Sequence, residues 1–291
     1  MSYILTLIAD RTQTTLGEAV INRVREAVDG GPPRVLATGE AADIPCRNVP
    51  LAAALDAALE GAAIDTITTK PRNRRKGLLI ADMDSTIVTS ETLDEIAVYA
   101  GVGEKIAALT RMSMNGEIDF AEALRQRVAM LKGLPLDALE KTWNATRLTP
   151  GARELVATMK AHKATTALVS GGFTFFTERV AALVGFDVHR ANTLLDDGSV
   201  LTGEVAEPIL DRDAKFATLK ELAETRGLQM SATLAVGDGA NDLAMLRAAG
   251  LGVAYHAKPF VAAQVRAQVR YGNLRALLFA QGYRGEDIVK G

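Results

Sequence analysis

Cysteine is all but missing from this chain. Cys46 stands alone among 291 residues, so no intramolecular disulfide can form, and a reducing compartment suits the protein. An excess of either charge is missing as well. The formal net charge is −2, whereas a nucleic-acid-binding domain normally carries a strongly basic face, so no nucleic-acid partner is expected. The one basic run, Lys70 to Lys76 with Arg72, Arg74 and Arg75 inside it, has no aromatic residues interleaved and reads as a solvated linker. No apolar stretch has the length to cross a bilayer, and Met1 to Asp10 lacks a basic leader followed by a long apolar run. No membrane association is therefore expected, and the cytoplasm is the expected location. His162, His189 and His256 show no mutual metal-ligand spacing and read as structural or surface residues. Internal repeats and low-complexity segments are absent.

Apolar residues make up 48% of the chain, enough for one large or two modest cores. Tyr3 to Ala9 reads as a strand, Leu16 to Val28 as an amphipathic helix and Arg34 to Ala37 as a strand after the Gly30-Gly31-Pro32-Pro33 break. Leu51 to Glu60 then reads as a helix and Ile64 to Thr69 as a last strand. Pro71 and the basic run close this small N-terminal α+β domain, so the expected division is 1–75 and 76–291. Beyond it, buried strands at Leu78 to Asp82, Thr165 to Ser170, Thr233 to Asp238 and Leu251 to Tyr255 alternate with helices. That alternation gives an α/β class with a parallel sheet, whose ligands sit at the carboxyl ends of the strands. Glu91 to Lys160 carries only helical patterns and reads as a helical cap inserted at about 91–160. Asp196-Asp197-Gly198-Ser199 reads as a hairpin turn at the sheet edge.

Two of the strands end on acids. Leu78-Leu79-Ile80-Ala81 runs into Asp82-Met83-Asp84-Ser85-Thr86, and Thr233-Leu234-Ala235-Val236 runs into Gly237-Asp238-Gly239-Ala240-Asn241-Asp242. Either alone is a solvated turn. Together they imply a shared cation site, because desolvated carboxylates need a partner. Magnesium takes hard oxygen ligands and usually only one or two protein carboxylates, so Asp82, Asp238 and the backbone carbonyl of Asp84 suit it. Asp82 can attack phosphorus as a nucleophile, with Asp84, two residues along, facing the same side as proton donor. Asp242 is either a further acid at the metal or a first-turn helix carboxylate, and Asn241 either an N-cap or a substrate contact.

Phosphoryl transfer needs fixed donors as well as a metal. Ser170-Gly171-Gly172 directly follows a strand and makes a phosphate cradle, although by itself it is ordinary turn chemistry. Lys215 opens a helix, where the dipole disfavours a cation; it is either functional or an ordinary exposed lysine. Glu91 and Arg127 lie in the cap region, as do Met114, Phe120 and Trp143, which read as packing residues.

These four clusters, in this order, resemble the haloacid dehalogenase superfamily of phosphotransferases, and the stretch from Asp82 through Glu91 is similar to its phosphoserine phosphatase branch. The resemblance covers residues 78 to about 270. It implies a Rossmann-like core with an inserted helical cap. It further implies Asp82 as the phosphorylated nucleophile, Asp84 as acid and base, Ser170 and Lys215 as phosphate binders, and Asp82, Asp84 and Asp238 as ligands of Mg2+; Gly171, by its amide in the cradle, and Asn241, if it is not a cap, are further candidate substrate contacts. Glu91 and Arg127 match the positions for the substrate's amine and carboxylate, and Met114 and Phe120 the apolar residues that close over it. The implied activity is hydrolysis of O-phospho-L-serine, the last step of serine biosynthesis. The alternatives are another small phosphorylated metabolite, such as phosphothreonine or phosphohomoserine, and a non-catalytic amino-acid sensor. Residues 1–75 are similar to a reduced ACT-like module, with packing or homodimer formation as the alternative role.

Overall fold

The computed structural model describes residues 2–114 and 117–291; the side chains of Met114 and Arg212 lie outside the described residues. The chain begins with β1 (Tyr3–Ala9), α1 (Glu18–Ala27), β2 (Arg34–Ala37), β3 (Ala41–Cys46), α2 (Ala52–Leu59) and β4 (Ile64–Thr69). The strands form an antiparallel sheet in the order β2-β3-β1-β4. Strand β3 was not foreseen, and with it the unit has four strands in a full βαββαβ succession rather than a reduced one. Its Pro45 sits two residues past Asp43, which is opposite Arg34 at the start of β2, so the missing N–H falls where that neighbour has ended.

Alternation in β1 explains where this sheet goes. Leu5, Leu7 and Ala9 pack with Ile21, Val24, Leu55 and Leu59 of its own helices. Ile8 and Ile67 join the larger core instead. Both faces are therefore covered.

The rest of the chain supplies β5 (Leu78–Ala81), α3 (Thr92–Tyr99), α4 (Gly103–Met114), α5 (Phe120–Ala129), α6 (Asp137–Ala145), α7 (Ala152–Ala161), β6 (Thr165–Phe173), α8 (Thr174–Val184), β7 (Val188–Asn192), β8 (Leu194–Asp196), β9 (Leu201–Val205), α9 (Arg212–Thr225), β10 (Thr233–Gly237), α10 (Leu243–Ala248), β11 (Leu251–Tyr255), α11 (Pro259–Ala262), β12 (Ala267–Val269) and α12 (Ala276–Ala280). Six strands form a wholly parallel sheet, β12-β11-β10-β5-β6-β7. Central β5 is buried throughout: Leu78 and Ile80 face the layer containing Leu219 and Met245, and Leu79 and Ala81 face the layer containing Leu155 and Phe176. Ala81 pairs with Val236, so Asp82 and Asp238 lie just past neighbouring strand ends.

A narrow neck leads into the inserted helices, where Val88 bridges Leu148 and Thr149 N–H donates to Ile87 O at 2.9 Å. Helices α3 to α6 lie between its two sides. Helix α7, inside the stretch read as cap, packs on β6 and α8 instead. The β8–β9 hairpin also differs from expectation. It is not a sheet-edge feature: Gly133 and Leu136 N–H donate to Leu201 and Ser199 carbonyls at 2.8 and 3.0 Å, which fastens it to the loop after α5.

The basic run is not a solvated linker. Arg74 reaches into the N-terminal sheet, donating to Asp43 at 2.6 and 2.7 Å, to Thr6 Oγ1 at 2.8 Å and to Ala280 O at 3.0 Å. Lys76 is buried as well, donating to Asn73 O and Ser231 O. Asp65 on β4 accepts N–H groups of Arg270 and Gly272, both at 2.7 Å, and Arg275 grips Glu40 with two parallel bonds. Removing Arg74 strands the buried Asp43 carboxylate, so Arg74→Ala is expected to lower unfolding free energy by about 3–5 kcal/mol in urea denaturation. A loss under about 1 kcal/mol would place the pair among weak surface contacts.

Candidate active site

Asp82 follows β5, and its N–H donates to Val236 O at 3.0 Å, which ties the acid to the neighbouring strand. The chain then turns tightly over Met83–Ile87, with Ser85 in the left-handed region at φ 52°. This turn carries Asp84 back to the start of α3, where its Oδ1 accepts Thr92 N–H at 3.1 Å. From β10, Asp238 and Asp242 arrive through a short 3-10 turn. The carboxylates of Asp82, Asp238 and Asp242 lie within 4.8 Å of one another, and all three residues are buried. Gly237 permits this approach, since a Cβ there would fall 2.3 Å from Asp242 Cγ.

Lys215 enters from α9, whose start is capped by Asp211 accepting from Asp213 and Ala214 N–H. The lysine is 1% exposed, so it is not an ordinary surface residue. Its Nζ lies 2.6 Å from both Asp82 Oδ1 and Asp242 Oδ1. Asp242 Oδ2 accepts Gly239 N–H at 2.9 Å, so both its oxygens are engaged. Asp82 keeps one oxygen without a hydrogen bond among the described residues, and Asp238 keeps both.

Burial pushes Asp82 well up from the ordinary carboxylate range; Asp242 and Asp238 push it further, against Lys215. Burial and then Glu91 raise Asp84 to about 7. Asp238 is raised to about 6 by burial, Asp242 and Glu91. Burial alone would lower Lys215, but Asp242 and Asp82 outweigh it and hold the ammonium charged. Three carboxyl groups gathered around this one cation in a closed space form a set of hard oxygens that suits a divalent ion.

Ser170-Gly171-Gly172 does not follow β6 but lies within it, where its pairing with β7 shifts register; Ser170 is buried, and its Oγ accepts Gly172 N–H at 2.9 Å. A Cβ at Gly172 would fall 3.0 Å from Asp84 Oδ2 and 3.1 Å from Ser170 Oγ, so this turn borders Asp84. Phe120, at the start of α5, reaches the same turn: a Cβ at Gly171 would fall 3.3 Å from its ring. Glu91 accepts from Ser85 Oγ at 2.8 Å beside the acids. Arg127 is not brought to the acids by any hydrogen bond. It donates to Ala123 O and Thr110 Oγ1 within the helical insertion, and it is lowered by burial, with Asp94 acting the other way. Asn241 lies in the 3-10 turn and does not cap α10 through its side chain. Met114 ends α4, and its side chain lies outside the described residues.

Asn192 was missed by sequence reasoning. It is buried at the end of β7, donates to Gly171 O at 2.9 Å and accepts Leu210 N–H at 2.7 Å, so it links the serine–glycine turn to the segment leading into α9. The only local signal is a polar residue at a strand end.

The raised acids carry a thermodynamic sign. A carboxyl bound to its proton more tightly when folded loses stability as pH rises from its unfolded value near 4 through its folded one. Between about pH 5 and about pH 8 the thermal midpoint of metal-free protein is therefore expected to fall, and a divalent ion to restore more of it at the higher pH. Equal metal effects at both would contradict the site.

Residues 79–247 match the family model described as haloacid dehalogenase-like hydrolase. A phosphoserine phosphatase of Archaeoglobus fulgidus is 45% identical over 186 residues, 64% of this chain and 54% of that protein, so the chain spans about half the length of that relative. A haloacid dehalogenase family hydrolase from Salmonella enterica serovar Typhi superposes with a TM-score of 0.85 at 29% identity, covering 96% of this chain and 97% of that one. A probable phosphoserine phosphatase from Vibrio cholerae, in unliganded form, gives 0.79 at 33% identity, covering 97% and 86%. Among the described residues no helix is long and apolar enough to cross a membrane. The chain belongs to the haloacid dehalogenase-like hydrolase family, whose phosphatases generally use a divalent metal.

Proposed function

We propose that this protein hydrolyses O-phospho-L-serine to L-serine and phosphate through a phosphoryl group held on Asp82. The observation that carries the reading is the meeting of Asp82, Asp242 and Lys215 at 2.6 Å beside Asp238 and Asp84. The names of the Archaeoglobus and Vibrio relatives support the substrate. In the first step an oxygen of Asp82 attacks phosphorus, the ester P–O bond breaks, and the serine oxygen takes the proton of Asp84. In the second, Asp84 removes a proton from water, whose oxygen attacks phosphorus and breaks the bond to Asp82. An acid held at about 7 is present in both forms near neutrality, which both steps require.

Asp82, Asp238 and the backbone carbonyl of Asp84 would hold Mg2+, which neutralises phosphoryl oxygens when bound. Ser170 Oγ–H, the Gly171 N–H and Lys215 supply the remaining donors to the phosphoryl group. Asn241, half-buried beside Asp238, is a substrate contact in the same reading. Glu91 takes the amine and Arg127 the carboxylate, while Met114 and Phe120 close over the substrate. Arg127 has an N–H pair that no residue takes among those described. Residues 1–75 form the N-terminal unit and 76–291 the catalytic one, with the cap in α3 to α6 and the β8–β9 hairpin.

Asp82→Asn is expected to abolish phosphate release from phosphoserine while leaving the thermal midpoint close to the parent; retained turnover would remove Asp82 as nucleophile. Arg127→Lys loses a two-bond grip on a carboxylate and is expected to raise KM for phosphoserine by about tenfold or more, with kcat less affected. Unchanged kinetics would remove Arg127 from the substrate's carboxylate.

A further inference from the structure

A cleft with several basic side chains on its walls lies at the joint between the two sheets. Its volume is about 330 Å³, and it is bordered by the end of β4, the basic run, and the segments entering β10 and β11. No acid is among its lining residues, while Lys70, Arg72, Lys76 and Arg266 are. Lys70, Arg72 and Arg266 are exposed and make neither a side-chain hydrogen bond nor an ion pair among the described residues. Arg74, also on its wall, is taken up by Asp43.

Two buried groups show that this is more than a solvated basic surface. Lys76 is 9% exposed, and among the described residues its ammonium donates to the Asn73 and Ser231 carbonyls and pairs with no acid. Burial lowers it to about 8. Thr69 is 8% exposed, and its Oγ1 is buried with no hydrogen-bond partner. Both residues line the cleft, and an enclosed hydroxyl without a partner and an ammonium without an acid each cost free energy that an anion accepting from them would offset.

We propose that this cleft binds a small multivalent oxyanion, a phosphate or pyrophosphate group either free or carried on an organic body, with Thr69, Lys70, Arg72, Lys76 and Arg266 as its donors. Such a ligand bridges the N-terminal sheet and the catalytic unit, and so strengthens their docking. The cleft lies at the opposite end of β10 from Asp238, roughly 16 Å away for five residues of strand. It does not depend on the identity of the catalytic substrate.

The test titrates the whole 291-residue chain, free of divalent ions, with inorganic pyrophosphate and follows the thermal midpoint. The midpoint is expected to rise in the parent and to the same extent in Asp238→Asn, which alters the acid cluster. In Arg72→Ala/Arg266→Ala the apparent affinity is expected to fall by at least about tenfold, and Arg72→Lys/Arg266→Lys to recover part of it. Turnover in phosphate-free buffer stays at the parent level in both double variants, so loss of anion binding is separable from loss of catalysis. Adenosine diphosphate run in parallel identifies the source: tighter binding than pyrophosphate assigns the phosphate to an organic carrier, equal or weaker binding to a free ion. No rise in the parent, or the same affinity in the double alanine variant, overturns the site.

Discussion

One buried ammonium holds this site together. Lys215 stands between Asp82 at the end of β5 and Asp242 beyond the end of β10, at hydrogen-bonding distance from both. Without it, carboxylates from two neighbouring strands would meet in a closed space with only their mutual repulsion. The surrounding construction serves that meeting. Adjacent parallel strands bring the acids level, Gly237 leaves room for Asp242, and the Asp211 cap sets where α9 begins and hence where Lys215 points. Because Asp242 gives its second oxygen to Gly239 N–H, it anchors the lysine, and Asp82 and Asp238 are left with oxygens to offer.

The same arrangement makes chemically similar residues unequal. Asp84 lies only two positions from Asp82 but touches Thr92 N–H and feels Glu91, not the lysine at close range, and its proton is held to about neutrality. Asp82 has a cation at 2.6 Å. Two acids in different surroundings can take the separate parts of attacking group and proton carrier. The Ser170–Gly172 stretch of β6 adds a link between units, because Phe120 from the inserted helices lies against Gly171 while Asn192 donates to that glycine's carbonyl.

Much of this was legible in the sequence because each acid cluster is contiguous and follows a buried strand directly. Asp82-Met83-Asp84 and Gly237 to Asp242 declare themselves through local pattern alone. What escaped reading depends on distant partners. Strand β3 contains Asp43 and Pro45, both unfavourable in strands, and is stable because Arg74 and Thr6 satisfy the aspartate and β2 ends before the proline. The basic run looked solvated because nothing local shows that Arg74 meets Asp43 on β3 or that Lys76 is taken up by the Asn73 and Ser231 carbonyls. Helix α7 shares its periodicity with the inserted helices and differs only in what it packs against. The hairpin was recognisable from its turn residues, but its attachment to the loop after α5 is a long-range pairing.

The central claim is that Asp82, paired with Lys215 and flanked by the acids of β10, takes up the phosphoryl group covalently. Acid quenching of a single turnover of isotopically labelled phosphoserine, followed by peptide mass mapping, reads this most directly. The account predicts a phosphoryl group on the peptide carrying Asp82, at that residue, which decays as free phosphate appears. Label on a different side chain, or rapid phosphate release with Asp82 never modified, would contradict it.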